Sequence, residues 1–300
     1  MSSNDTVVRM ERVRDVREAN ETSLDTKLDH APIGKPTRRL SDPLPEAQPP
    51  EQFVKELTNH IVKSAAANVG PFYEELIAGR IPIEGLREWI KQWYFDSRTF
   101  PSVIAQIAAS ATYYYDARQF MGANLAEELG EFDPAREHPV LVRQLGRALG
   151  VSDEELEFAE PYPETLLYVE YRQHLVRDFH WLEAIAAGSY AIELTIPGRF
   201  RKIARALKKQ LSLNDEALEV FRIHAGDEEL ELNYGGDVKH AMEASNLIRK
   251  YAVTAEMQER VRLAVWRSVE ARKVYQAGLF REIILKKDPN WKKFWTAAAQ

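Results

Sequence analysis

An all-α fold is predicted for this chain on three observations. Leu86, Trp89, Ile90, Trp93 and Tyr94 fall at i, i+3, i+4, i+7 and i+8, which is one apolar face of a helix. Met257, Val261, Val265 and Val269 recur every four residues, as on a long helix near the C-terminus. Alternating apolar and polar runs are scarce, and no Asn-Gly or Asp-Gly pair signals a hairpin.

Taken in order, residues 1–50 read as a disordered or weakly ordered tail. They contain no Phe, Trp or Tyr and hold six of the chain's 15 prolines. A segment without large apolar side chains cannot offset its ordering entropy by burial. Val7 to Val16 could form a short charged helix on a partner. From Phe53 the helical period takes over. Breakers divide the rest of the chain: Gly70-Pro71, Gly79, Pro82, Gly130, Pro134, Pro139, Gly150, Pro161, Pro163, Pro197 and Gly235-Gly236. Ser152 with Glu155 has the spacing of a capping box opening a short helix. About eight helices are expected over roughly 230 residues, on ordinary helix lengths. No period of 30–40 residues recurs, which argues against a solenoid. The amphipathic segment Asp288-Pro-Asn-Trp291-Lys-Lys-Phe294-Trp295 is expected to pack on the bundle as an extra C-terminal helix.

Composition narrows the function. The chain has 300 residues, a net charge of -6 and no cysteine. The acidic balance gives no footprint for nucleic acid. The missing thiols exclude disulfides, thiolate metal sites, iron–sulfur clusters and a cysteine nucleophile, and they fit a reducing cytoplasm. The longest near-apolar run, Val103 to Thr112, is too short to cross a bilayer. No signal peptide follows Met1, so a cytoplasmic protein without a membrane partner is expected.

Helix bundles build metal sites from inward-facing Glu and His on several helices, and that hard donor set suits iron or manganese. Three places offer such donors. Glu127 and Glu128 close one helix, and His138 stands before Pro139 where the next begins. The same pattern also suits a solvated acidic helix end with a capping histidine. Glu193 is the only charge between Glu183 and Arg199, so it must be neutralised, paired with an Arg or Lys, or bound to metal. Asp237 and His240 share a helix face at i and i+3, with His224 upstream. Glu170 with His174, His180 and His60 suit structural roles better. Tyr113, Tyr114, Tyr115 and Tyr190 read as packing aromatics.

The ordered set of motifs resembles the TenA/PqqC superfamily. The residues that carry it are Gly70-Pro71-Phe72, Leu76-Ile-Ala-Gly79-Arg-Ile-Pro82, Leu86 to Tyr94 and Phe100-Pro101, then Asn124-x-x-Glu127-Glu128-x-Gly130, His138-Pro139, Leu145 to Gly150, Tyr190-x-x-Glu193 and Asp237-x-x-His240. The resemblance spans about residues 53 to 284. It implies the seven-helix haem-oxygenase-like bundle, placed in a domain over residues 51–300, and a homodimer.

Within that superfamily the chain is most similar to the haem-oxygenase-like dimetal oxidases and oxygenases. Their ligand order, Glu, His, Glu, then His-x-x-x-Asp-x-x-His, implies Glu127, His138, Glu193, Asp237 and His240. The sixth position departs from the pattern. Four residues before Asp237 stands Asn233; alternatively His224 is the missing histidine, separated by an insert of about nine residues, Asp227 to Gly235. Nine residues turn a helix by about 900°, half a turn out of phase, so the insert must loop out for His224 to reach the site. His224 is taken over Asn233. The resemblance then implies two non-haem iron ions, or an iron–manganese pair, with O2 as co-substrate and a small molecule as substrate. A cofactorless oxidase resembling the quinone-cofactor synthases is an alternative, with Arg98, Arg172, Arg177 and Arg222 available for an acidic substrate. A non-catalytic helical binding protein is a third.

Overall fold

The computed structural model describes residues 44, 46–64, 70–225 and 236–287. Residues 1–43 and 45 of the expected N-terminal tail, Asn233, and the amphipathic segment from Asp288 to Trp295 therefore lie outside the described residues. Among these residues every regular element is helical. Helix α1 spans Pro50–Lys63, α2 Pro71–Ile77, α3 Ile83–Ser97, α4 Phe100–Ser110 and α5 Tyr115–Glu128. Helix α6 spans His138–Ala148, α7 Asp153–Glu157 and α8 Pro163–Asp178. Helix α9 begins as Trp181–Ile185, widens into a π turn over Ala186–Tyr190 and ends as Ala191–Glu193. Helices α10 Ile196–Leu211, α11 Glu219–Ala225, α12 Gly236–Tyr251 and α13 Ala255–Leu279 follow, and the described chain ends in a π turn, Phe280–Ile284, and a 3-10 turn, Leu285–Lys287.

The breakers act as their chemistry requires. Pro71, Pro101, Pro139, Pro163 and Pro197 sit in the first turns of α2, α4, α6, α8 and α10, where a missing N–H costs nothing. Ser152 and Glu155 form the expected reciprocal cap on α7. The chain is cut more finely than eight helices. Helices α2, α7 and α11 have seven residues or fewer, too few turns to show a period.

Two large apolar cores result, beside a small cluster of Leu175, Ala187 and Ala264. One gathers Phe53, Leu57 and Ile61 from α1, Val103, Ile104 and Ile107 from α4, Phe120 and Met121 from α5, and Val261, Val265 and Val269 from α13. The other gathers Leu86, Trp89, Ile90 and Tyr94 from α3 with Leu141 and Leu145 from α6, Ile203 and Leu207 from α10, and Phe221 from α11. The apolar stripes read from the sequence on α3 and α13 are therefore the faces these cores bury. Removing a side chain such as Leu86 from water stabilises the fold by about 1.5–3 kcal/mol. Helices α5, α9 and α12 lean on the first core and α6 and α11 on the second. Among the polar residues these helices bury are Asn124 and Glu128 on α5, Glu193 on α9, and Asp237 and His240 on α12.

Candidate metal centre

Helix α5 buries Ala117, Phe120, Met121, Asn124 and Glu128, a stripe of helical spacing that ends in a carboxylate. The chain then reverses through Gly130, Glu131 and Phe132, all at positive φ. A Cβ on Gly130 would stand 2.5 Å from the carbonyl carbon of Arg136, so only glycine fits there. The reversal returns the chain to start α6 at His138, whose Nδ1 lies 2.8 Å from Glu128 Oε2.

Helix α9 supplies Glu193, buried just after the π turn. Asn124 Nδ2 donates to Glu193 Oε1 at 3.3 Å and fixes that carboxylate. Helices α11 and α12 supply His224, Asp237 and His240, with His224 Nδ1 2.9 Å from Asp237 Oδ1. His240 stands between two carboxylates, Nε2 3.1 Å from Glu127 Oε2 and Nδ1 3.3 Å from Glu193 Oε2. A Cβ on Gly236 would meet Glu127 Oε2 at 2.9 Å, so the bare backbone there admits the carboxylate. The rings of His138 and His224 meet edge to face, 4.5 Å between centroids.

All six sequence-derived positions thus converge on one place, and His224 reaches it. The two neighbouring glutamates differ. Glu128 is 5% exposed and faces His138. The Glu127 side chain is 28% exposed, and its Oε1 accepts from Lys239 Nζ at 2.9 Å. Neither Glu128 nor Asn124 is among the ligands the motif spacing assigns, although both lie on the buried stripe of α5.

The electrostatics are those of a cation site. Four carboxylates surround three imidazoles, and Glu128, Glu193, Asp237 and His240 among them are buried. The His240 contact, acting against burial, holds the Glu127 carboxyl down at about 2. Burial opposes a charge on His224, but Asp237 overcomes it and lifts the imidazole to about 9. Burial likewise opposes a charge on His240, and Glu193 and Glu127 carry it up to about 11. Burial raises the Glu193 carboxyl, against the pull of His240. Without a metal, His224 and His240 serve as the countercharge.

A metal fits this donor set. Glu193, Asp237 and His240 each offer a ligand atom, and these lie within 4.8 Å of one another. Asp237 Oδ2 is buried without a hydrogen-bond partner among the described residues, and Glu193 Oε2, His138 Nδ1 and His240 Nε2 face the ion-pair partners just described. Buried polar atoms are ordinarily satisfied, so an unsatisfied carboxylate oxygen amid these donors marks a place for an ion. Carboxylate and imidazole without thiolate suit iron or manganese.

Other histidines have structural neighbours. His180 caps α9 by accepting from Leu182 N, and His174 pairs with Asp178. Ser268 Oγ donates to the carbonyl of Ala187 inside the π turn. The four arginines considered for a cofactorless site each face a nearby carboxylate: Arg98 with Glu157, Arg172 with Asp96, Arg177 with Glu170 and Arg222 with Glu219.

Fold and donors together define an all-helical protein with a candidate metal centre. The chain belongs to the family of iron-containing redox enzymes, whose model matches residues 87–273, and it is an oxidoreductase. It is similar to a curated 4-aminobenzoate synthase from Nitrosomonas europaea, 23% identical over 224 residues, covering 72% of this chain and 87% of that protein. A solved domain of unknown function with a haem-oxygenase-like fold, from Shewanella denitrificans, superposes with a TM-score of 0.63 at 15% identity, covering 79% of this chain and 94% of that one. A TenA homologue from Pseudomonas syringae gives the same score and identity over 80% of this chain and all of its own. The haem-oxygenase-like fold and the likeness to TenA read from the motifs are confirmed. No described helix is long and apolar enough to cross a membrane.

Proposed function

We propose that this chain is a non-haem dinuclear iron oxidase or oxygenase that uses O2 on a small biosynthetic substrate. The observation that carries the reading is the convergence of four carboxylates and three imidazoles, of which Glu128, Glu193, Asp237 and His240 are buried. The ligands in this reading are Glu128, His138, Glu193, His224, Asp237 and His240, with Glu127 closing the outer side through Lys239. Bound ferrous iron would supply the electrons and open coordination positions for reaction with O2. The chain's own residues do the rest. Asn124 orients Glu193, the His224–Asp237 contact sets both side chains, and the Phe120 and Phe200 rings beside His240 and His224 keep water out. The name of the Nitrosomonas relative supports a biosynthetic substrate of small size. A cytoplasmic homodimer belongs to the same reading.

The test is iron content after anaerobic loading with ferrous salt, followed by mixing with O2. Close to two irons per chain and a transient visible absorption band are expected. Glu193→Ala and His240→Ala should lose iron while keeping the helical circular dichroism. Stoichiometric iron in both variants would sink the assignment.

A further inference from the structure

The described residues end at Lys287, one residue beyond Lys286, which lines an open cleft of about 750 Å³. None of the proposed metal ligands lines it. One wall is α3, a second is the connection from α7 to α8, and the third is the turn that carries Arg281 and Glu282. The walls are fixed to one another. Gln92 on α3, 1% exposed, donates from Nε2 to the Glu160 carbonyl at 3.2 Å, and its Oε1 accepts from Tyr162 N at 2.8 Å. Arg281 Nη2 donates to Glu164 Oε2 at 2.9 Å, which ties the last described turns to the first turn of α8.

Two features of this cleft ask for a complement. The Phe158 ring is 78% exposed. A single exposed aromatic is ordinary, but this one shares the concavity with Pro161, Tyr162 and Pro163. The Glu160 carboxylate is exposed and has no ion-pair partner among the described residues, whereas Lys91 answers Glu88 at 3.1 Å and Glu155 at 3.9 Å. The occupant must therefore bring aromatic side chains and positive charge. The sequence supplies both within reach. Trp291, Phe294 and Trp295 stand at i, i+3 and i+4, with Lys292 and Lys293 between them. Trp291 is five residues beyond Lys286, and five residues span about 18 Å at most, so it cannot leave the neighbourhood of the cleft.

We propose that the chain's own residues 291–295 dock in this cleft, the aromatic side chains against Phe158 and the two prolines, and Lys292 or Lys293 against Glu160. The inference is independent of the metal reading. The chain has no cysteine, so a pair can be introduced without background. The full chain carrying Ala159→Cys and Thr296→Cys is treated at high dilution with a short bismaleimide, and the products are separated in denaturant. A link within one chain is expected. Adding Trp291→Ala, Phe294→Ala and Trp295→Ala should slow it about tenfold, because docking sets the local concentration of the two thiols. An unchanged rate would mean that the tether alone brings them together, and would overturn the proposal. No link would do the same, and a link only between chains would assign the cleft to the segment of a second copy. In the chain without added cysteines, Phe158→Ala and the triple alanine variant should each lower the melting temperature by about 2–4 °C, and their combination should fall short of the sum. Full additivity would show that the two do not touch. Glu160→Lys should also lower the melting temperature, and Lys292→Glu with Lys293→Glu should restore it; no restoration would overturn the charge pairing.

Discussion

Adjacent carboxylates on one helix can have opposite tasks, because successive residues are about 100° apart around the axis. Glu128 continues the buried stripe of Ala117, Phe120, Met121 and Asn124, and it faces His138. Glu127 is turned outward to Lys239 and touches the centre only through His240. Glu128→Gln is therefore expected to lose at least half of the bound iron, whereas Glu127→Gln keeps most of it and weakens binding a fewfold. Iron measured per folded chain separates the two, and the reverse ranking would make Glu127 the ligand. The stripe was legible in the sequence, since Asn124 and Glu128 stand at i and i+4 after Phe120 and Met121. The motif spacing pointed to Glu127, and only the helical phase separates it from its neighbour. His224 was less legible. Its distance along the chain from Asp237 gives no phase, and the contact depends on how the chain returns between α11 and α12.

At the level of helices, the long elements were readable and the junctions were not. The stripes on α3 and α13 show a period because each has more than three turns. The π turn over Ala186–Tyr190 has no such signature, since Ala-Ala-Gly-Ser is equally at home in a straight helix. Yet this turn sets the phase of Glu193. A π turn widens the helix and disturbs its regular carbonyl pairing. Ser268, on α13, donates to the Ala187 carbonyl at 2.7 Å and ties the widened turn to its neighbour. Both residues are buried, so water cannot replace the lost hydroxyl. Ser268→Ala is expected to destabilise the fold by about 1–3 kcal/mol in urea unfolding. Iron should also bind more weakly, because Glu193 follows the turn by three residues. A cost under about 0.5 kcal/mol would show that this bond contributes little to holding the π turn.

For the molecule as a whole, metal and pH act through different groups. Away from the centre, burial raises the Glu56 carboxyl, but Arg262 outweighs it and the net shift is downward. Burial also raises Asp116, and Lys250 and Tyr251 outweigh it. A carboxyl whose folded pKa is lowered stabilises the protein above its unfolded value, and that contribution disappears as pH falls through the folded one. Both groups are paired with or without metal, so an acid limb beginning near pH 4.5 should appear in metal-free and metal-loaded protein alike. The metal increment behaves differently. The buried carboxylates, which the raised imidazoles of His224 and His240 face in the absence of metal, gain a better countercharge when a divalent ion enters. Ligand at one hundred times its dissociation constant stabilises a fold by about 2.7 kcal/mol. Manganous ion, which does not react as ferrous iron does, should therefore raise the melting temperature at pH 7 by several degrees. Imidazoles must shed their protons to bind, so the increment should shrink on acidification well before the acid limb is reached. Thermal melts from pH 4 to pH 8, with and without manganese, read both effects. An increment constant down to pH 5 would mean that histidine does not ligate, and the metal would then have to sit on carboxylates alone.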